Sequence, residues 1–260
     1  MRVAENSDYE SIVAFLKKHI NDSLYMYIDI AKYGLELPSM KVWVNEGSPV
    51  KMVVMKYHTS LSVCADDDGW DREAVLELVR QEKPLSMTAD EKWIKDIFDD
   101  IQDDYTVEYG HMFSFDKYRD IHMDVEVETA KEEDMLEAAA LIKTDEGIGS
   151  YYETQDLADQ LIERMNTQMG RSYIIRENGK IIAHIASYAE YDGLATTGGL
   201  IVDADHRDTV YGAFLEKYLV DRLHEDGFKV YTFVTGRMRY RFLKAMGNEV
   251  AGKYGKLMIK

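Results

Sequence analysis

A glycine-rich stretch, Gly198-Gly199-Leu200-Ile201-Val202, leads through Arg207 to Gly212, and its residue types suit an anion cradle. Backbone N–H groups that open a helix after a strand favour negative charge, and the helix dipole acts in the same direction. Gly212 permits close backbone approach to a pyrophosphate, and Arg207 can add charge-assisted hydrogen bonds. Thr209, Val210, Tyr211 and Ala213 bring the neighbouring N–H groups, whereas Asp208 adds an opposing negative charge. The plainer alternative is an ordinary strand-to-helix turn in which Gly212 serves packing. Glu190 is a candidate general base, directly or through water, with an exposed hairpin carboxylate as its plainer reading. Thr196 and Thr197 can hydrogen-bond a substrate, although threonine is common in strands for its branched shape.

Other chemistries lack their residues. The 7 histidines form no HExxH or other close ligand pair, so no metal site is expected. Cys64 lies in an apolar run and reads as a buried thiol. No Gly-x-Ser-x-Gly elbow occurs. Gly247 to Lys253 spells Gly-x-x-x-x-Gly-Lys, but Tyr254 follows where a magnesium-binding hydroxyl is needed. The acids Asp66, Asp67, Asp68 and Asp71 around Gly69 fail the calcium-loop register, because Cys64 falls first when Gly69 is sixth. They read as a solvated turn capping a helix through Asp71.

The elements that position these residues follow from periodicity. From residue 122, alternation across Met123, Val125 and Val127 predicts a strand, and Thr129 with Glu132 opens a helix to about Ile142. After a loop at Gly147 to Ser150, a second helical stripe runs from Leu157 to Met165. Asn178-Gly179 and Asp192-Gly193 predict two tight turns joining three antiparallel strands, of which the last is 196 to 202. A helix over 209–226, a strand over 230–234, a short helix over 238–246 and a strand through 256–259 complete this half. The first half reads as a helix to about Tyr33, strands at 41–44, 51–56 and 59–64, a helix over 71–82, a strand at 85–87, a helix over 89–101 and a strand over 105–115.

The chain has 260 residues, 46% of them hydrophobic, enough to bury one or two cores. The boundary is expected near residue 120, giving domains 1–120 and 121–260. A net charge of -17 argues against nucleic-acid partners, apart from a locally basic C-terminal stretch from residue 227. Membrane helix and secretory signal are absent from the pattern, and a single cysteine fits the cytoplasm.

The order of elements over residues 121–260, with the stretch from Gly198 to Gly212, resembles the GNAT superfamily of N-acetyltransferases. That resemblance implies an α/β (α+β) fold: a mixed, mostly antiparallel central sheet flanked by helices. Acetyl-CoA is then the acyl donor, held by Leu200, Ile201, Val202 and the run from Arg207 to Ala213. The acceptor is a small-molecule or peptide amine. Against the family pattern, Val210 replaces a loop glycine, and Leu243 stands where the family often has the tyrosine that protonates the leaving thiolate. Tyr240 and Tyr254 are the substitutes nearest in sequence. The first half parallels the second in element order and reads as a divergent GNAT-like repeat, with acids where the phosphate loop would be. The expected function is acetyl-CoA-dependent N-acetyl transfer; the alternatives are an idle acyl-CoA-binding or regulatory module, and a transferase using another donor.

Overall fold

The computed structural model describes residues 1–116, 120–145, 153–207 and 209–260. It forms two compact units that a single cut does not separate. The first comprises Met1–Phe113, Val234–Arg241 and Val250–Lys260; the second comprises Ser114–Phe233 and Phe242–Glu249.

In the first unit the strands are β1 (Arg2–Val3), β2 (Met40–Val44), β3 (Met52–Tyr57), β4 (Ser60–Ala65), β5 (Ser86–Asp90), β6 (Tyr105–Phe115) and β12 (Glu249–Ile259). They run in the order β1-β2-β3-β4-β5-β12-β6. β4 and β5 are parallel, whereas β1 with β2, β2 with β3, β3 with β4 and β5 with β12 are antiparallel. Helices α3 (Arg72–Glu82) and α4 (Glu91–Ile97) close one core: Val75, Leu76, Ile94 and Ile97 pack with Val54, Leu61, Met87 and Leu257. The long N-terminal helix expected from sequence is two helices, α1 (Tyr9–Lys18) and α2 (Ile20–Tyr33), broken at His19. The Ser23 hydroxyl accounts for the break, lying 2.8 Å from the Leu16 carbonyl and 2.9 Å from that of His19. The final strand begins seven residues earlier than periodicity indicates, and its partner is β5, with Tyr254 opposite Asp90 and Met258 opposite Ser86.

The second unit has β7 (Glu128–Thr129), β8 (Ser172–Glu177), β9 (Lys180–Tyr191), β10 (Leu194–Val202) and β11 (Lys229–Val234), in the order β11-β10-β9-β8-β7. Again one pair, β10 with β11, is parallel and the rest are antiparallel. Helices α5 (Met135–Ile142) and α6 (Thr154–Asn166) bury Met135, Ala139, Leu157 and Leu161 against Ile174, Ala186 and Ile201. The helix after β10 is α7 (Tyr211–Glu225), and α8 (Arg237–Ala245), which follows β11, belongs to the first unit up to Arg241 and to the second from Phe242. Both predicted turns form: Asn178 and Gly179 have φ of 51° and 82°, Asp192 and Gly193 have 49° and 72°. The strand expected across Met123 to Val127 does not pair. Its residues alternate half-buried and exposed as the pattern requires, yet β8 offers partners only to Glu128 and Thr129. The loop expected at Gly147 to Ser150 lies outside the described residues.

Candidate active site

Within the second unit, β10 and β11 pair from Leu194 opposite Lys229 to Thr197 opposite Thr232, and the pairing then stops. The last pair is latched by buried hydroxyls: Thr232 Oγ1 lies 3.3 Å from the Thr197 carbonyl, and Thr197 Oγ1 is 3.5 Å from that of Tyr231. β10 continues as Gly198 to Val202 against β9 alone, through a bulge between Gly198 and Ile201. Gly199 sits in the bulge at φ 61°, where a side chain is strained. A Cβ there would also lie 2.4 Å from the Tyr188 hydroxyl. The sheet therefore opens a backbone edge at Gly198 to Val202, with a glycine where the chain must kink.

That edge runs into a short turn at Ala204–His206, capped by Asp203, whose Oδ1 accepts from the Asp205 N–H at 3.2 Å. Asp203 is itself held by Lys180 at 2.8 Å. Thr209 Oγ1 lies 2.6 Å from the His206 carbonyl and 3.3 Å from the Tyr211 nitrogen. α7 then starts with no side-chain cap and no acid in its first turn. The N–H groups of Gly212 and Ala213 have no acceptor among the described residues. Exposed Arg207 forms no ion pair with a described residue and lies back on the strand end, with Nε 3.4 Å from the Val202 carbonyl. A Cβ on Gly212 would meet Val202 Cγ2 at 3.3 Å and Leu200 Cδ1 at 4.0 Å, so this glycine also lets α7 approach β10. The helix-start N–H groups, a guanidinium with no ion pair among the described residues and the open edge fit a pyrophosphate joined to an extended chain of amides.

The sequence model described as the Acetyltransferase (GNAT) family matches residues 95–247, more than half of the chain. The chain belongs to the GNAT acetyltransferase family. Solved structures share its fold along nearly the whole length. A Drosophila protein superposes with a TM-score of 0.68 at 14% identity, covering 100% of this chain and 98% of that one. A GCN5-related N-acetyltransferase from Sphaerobacter thermophilus gives 0.63 at 14% identity, with 98% and 93% covered. A tandem GNAT protein from the clavulanic acid biosynthesis pathway gives 0.61 at 13% identity, with 98% and 96% covered. No curated protein matches the chain in sequence.

In this GNAT protein Leu200, Ile201, Val202, Arg207, Thr209, Val210, Tyr211, Gly212 and Ala213 all fall on the β10 edge and the turn into α7, while Asp208 lies outside the described residues. Glu190 is placed differently from an exposed hairpin carboxylate. It is 9% exposed, and Arg171 grips both oxygens, Nε to Oε1 at 2.9 Å and Nη2 to Oε2 at 2.5 Å, with Ser187 donating to Oε1 as well. Burial opposes the charge of Arg171, yet its hydrogen bonds to Glu190 and Asp226 hold the guanidinium above its ordinary pKa. Thr196 and Thr197 are buried, and the Thr196 hydroxyl has no partner among the described residues. Tyr240 and Tyr254 belong to the first unit. Tyr240 packs on His111, ring centroids 4.7 Å apart, and edge-on to Phe113 at 5.4 Å. Tyr254 lies over Gly110, where a Cβ would be 2.4 Å from its Cζ, and burial raises its pKa, so the phenol stays protonated. Leu243, in the position of the missing tyrosine, is wholly buried.

Sequence reasoning missed His184. Its ring on β9 is 0% exposed, with Nδ1 2.9 Å from the Gly199 carbonyl and Nε2 without a partner among the described residues. Burial holds its pKa down at about 4, against an ordinary 6.5. The unfolded chain therefore takes up this proton at a pH where the folded protein does not, and the stabilisation is full above pH 6.5 and lost as pH falls towards 4. About 3 kcal/mol of stability is expected to disappear over that window. Urea unfolding of the parent and of His184→Asn between pH 7 and 4 checks this: the acid slope of the parent should be the steeper by one proton, and equal slopes would refute it.

The first unit repeats the parallel pair but not the chemistry. β4 and β5 pair only from Ser60 to Ser62 and Ser86 to Thr88. Beyond them lies a cavity of about 110 Å³ lined by Cys64, Asp22, Asp66, Asp67, Asp90 and Lys92, among others. Burial, and next the charge of Asp90, raise the Asp22 pKa, and burial pushes the Cys64 thiol up to about 12. An acid-lined opening with an unreactive thiol disfavours a pyrophosphate. Among the described residues no cluster of three or more His, Cys, Asp or Glu side chains can hold a metal ion, and no helix is long and apolar enough to cross a membrane.

Proposed function

We propose that this GNAT protein is an acetyl-CoA-dependent N-acetyltransferase for a primary amine, with its coenzyme in the second unit. The carrying observation is the opened β10 edge that ends in the uncapped start of α7, where the Gly212 and Ala213 N–H groups have no acceptor, and Arg207 no ion pair, among the described residues. Those donors would hold the pyrophosphate, and the backbone of Gly198 to Val202 the amide-bearing arm. Bound there, acetyl-CoA supplies an activated acetyl thioester. A backbone N–H on the edge polarises the thioester carbonyl and stabilises the oxyanion that forms when the amine attacks. Tyr254, with Tyr240 as the second candidate, is proposed from the sequence alone as the donor of a proton to the leaving thiolate. Glu190 is assigned to the Arg171 ion pair, which occupies both of its oxygens, so the proton that the attacking amine loses passes to water. The first unit acts as a GNAT-like scaffold in a tandem arrangement, a reading supported by its parallel β4–β5 pair.

Thiol release from acetyl-CoA over a panel of amines tests the activity, and calorimetry with CoA tests the placement. One CoA per chain is expected, and two would remove the contrast between the units. Tyr254→Phe should lower kcat about 100-fold with CoA affinity unchanged, the size of a general-acid contribution. An undiminished kcat would assign the proton to water or substrate. Buried Leu243 favours a second reading, an idle acyl-CoA-binding module. Tight CoA binding with no thiol release on a broad panel would select it.

A further inference from the structure

His184 carries a polar ring into a wholly buried place, and its bonding there is one-sided. Nδ1 faces the Gly199 carbonyl at 2.9 Å, so Nδ1 bears the proton and Nε2 is an acceptor with no donor among the described residues. A leucine or phenylalanine would fill the same space without leaving an acceptor unpaired. The ring is therefore explained by what Nδ1–H does and not by packing. Its partner is the residue that matters most along β10: Gly199, at φ 61° in the bulge, two residues past the last β11 pair. His184 Cε1 lies 3.3 Å from where a Gly199 Cβ would be, so ring and bulge are in direct contact. In a trans peptide the C=O and the following N–H point in opposite directions. Fixing the Gly199 carbonyl toward the ring turns the Leu200 N–H away from it.

We propose that His184 is a positioning residue for acetyl transfer: by tying down the Gly199 carbonyl it sets the Gly199–Leu200 peptide, so that the Leu200 N–H is fixed as the donor that polarises the thioester. This rests on the proposed acetyltransferase reading. His184 touches neither donor nor acceptor and acts through the backbone it holds.

Substitutions separate the two ring nitrogens. Asparagine places an N–H near the position of Nδ1 and nothing at Nε2, whereas leucine keeps neither. His184→Leu is expected to lower kcat about 30-fold, less than the loss of a donor that touches the oxyanion directly, with KM for acetyl-CoA and Kd for CoA within about twofold of the parent. His184→Asn should return kcat to within about threefold of the parent although both variants vacate ring volume and lose Tm alike. Full kcat in His184→Leu, equal losses in the two variants, or a loss confined to Kd would overturn the proposal. Should His184→Leu not fold, His184→Gln replaces it, since glutamine carries its amide at the Nε2 position. A parent without turnover retires the acetyltransferase reading alone, and the role of His184 is then read from the Leu200 amide ¹H–¹⁵N resonance on addition of acetyl-CoA. That resonance should move in the parent and in His184→Asn but not in His184→Leu. One that is still in the parent, or moves equally in all three, overturns the proposal.

Discussion

Gly212→Asp should abolish CoA binding in a folded protein. The new carboxylate would sit in the first turn of α7, which holds no acid, beside the N–H groups of Gly212 and Ala213, which have no acceptor among the described residues. Two unit charges about 4 Å apart near a protein surface repel by about 4 kcal/mol, which is close to three orders of magnitude in affinity. The added Cβ alone accounts for little of this. It would meet Val202 Cγ2, a terminal methyl, at 3.3 Å, and a shift of a few tenths of an ångström relieves the contact. Gly212→Ala separates the two effects and should keep CoA affinity within about fivefold. Calorimetry on both variants, with circular dichroism to confirm folding, provides the check. If Gly212→Asp folds and binds CoA like the parent, the turn into α7 is not the pyrophosphate site. If both variants lose stability and neither loses affinity selectively, Gly212 serves helix packing only.

The second large effect is structural. Arg171→Met should cost about 3–5 kcal/mol, because it removes the cation that holds a carboxylate 9% exposed. Glu190 would keep the Ser187 hydroxyl but lose its hydrogen bonds to Nε and Nη2, and an unpaired buried charge is far worse than a missing pair. In a protein of this size the loss corresponds to a fall in Tm of about 10 °C. The double variant Arg171→Met with Glu190→Leu should recover much of it, since neither charge then remains to be desolvated. Guanidinium melts of parent, single and double variants measure the coupling. Additive losses would show that the pair is not an energetic unit, and an unchanged Tm in Arg171→Met would show that solvent already reaches Glu190.

Local patterns along the chain determined much of the second unit. Asn178-Gly179 and Asp192-Gly193 specify left-handed turn geometry within two residues, so the three-strand meander was legible before any tertiary contact. The glycines of β10, Arg207 and Gly212 likewise mark a strand-to-helix turn, and that turn forms where the residues place it. These features depend on backbone freedom and on neighbours close in sequence. The tertiary structure alone decided the rest. Period-2 alternation marked the last strand but carries no information on its partner, and pairing with β5 joins residues more than 150 apart. The same limit explains Met123 to Val127, which alternate correctly and have no strand beside them. Glu190 read as a hairpin carboxylate because its cation, Arg171, lies 19 residues away and meets it only across paired strands. His184 looked like any polar residue in a strand, and its meaning rests on which carbonyl the bulge at Gly199 presents to it. Spacing within one element can be read from a sequence, but which atoms two elements bring within 3 Å of each other depends on register and packing across the sheet.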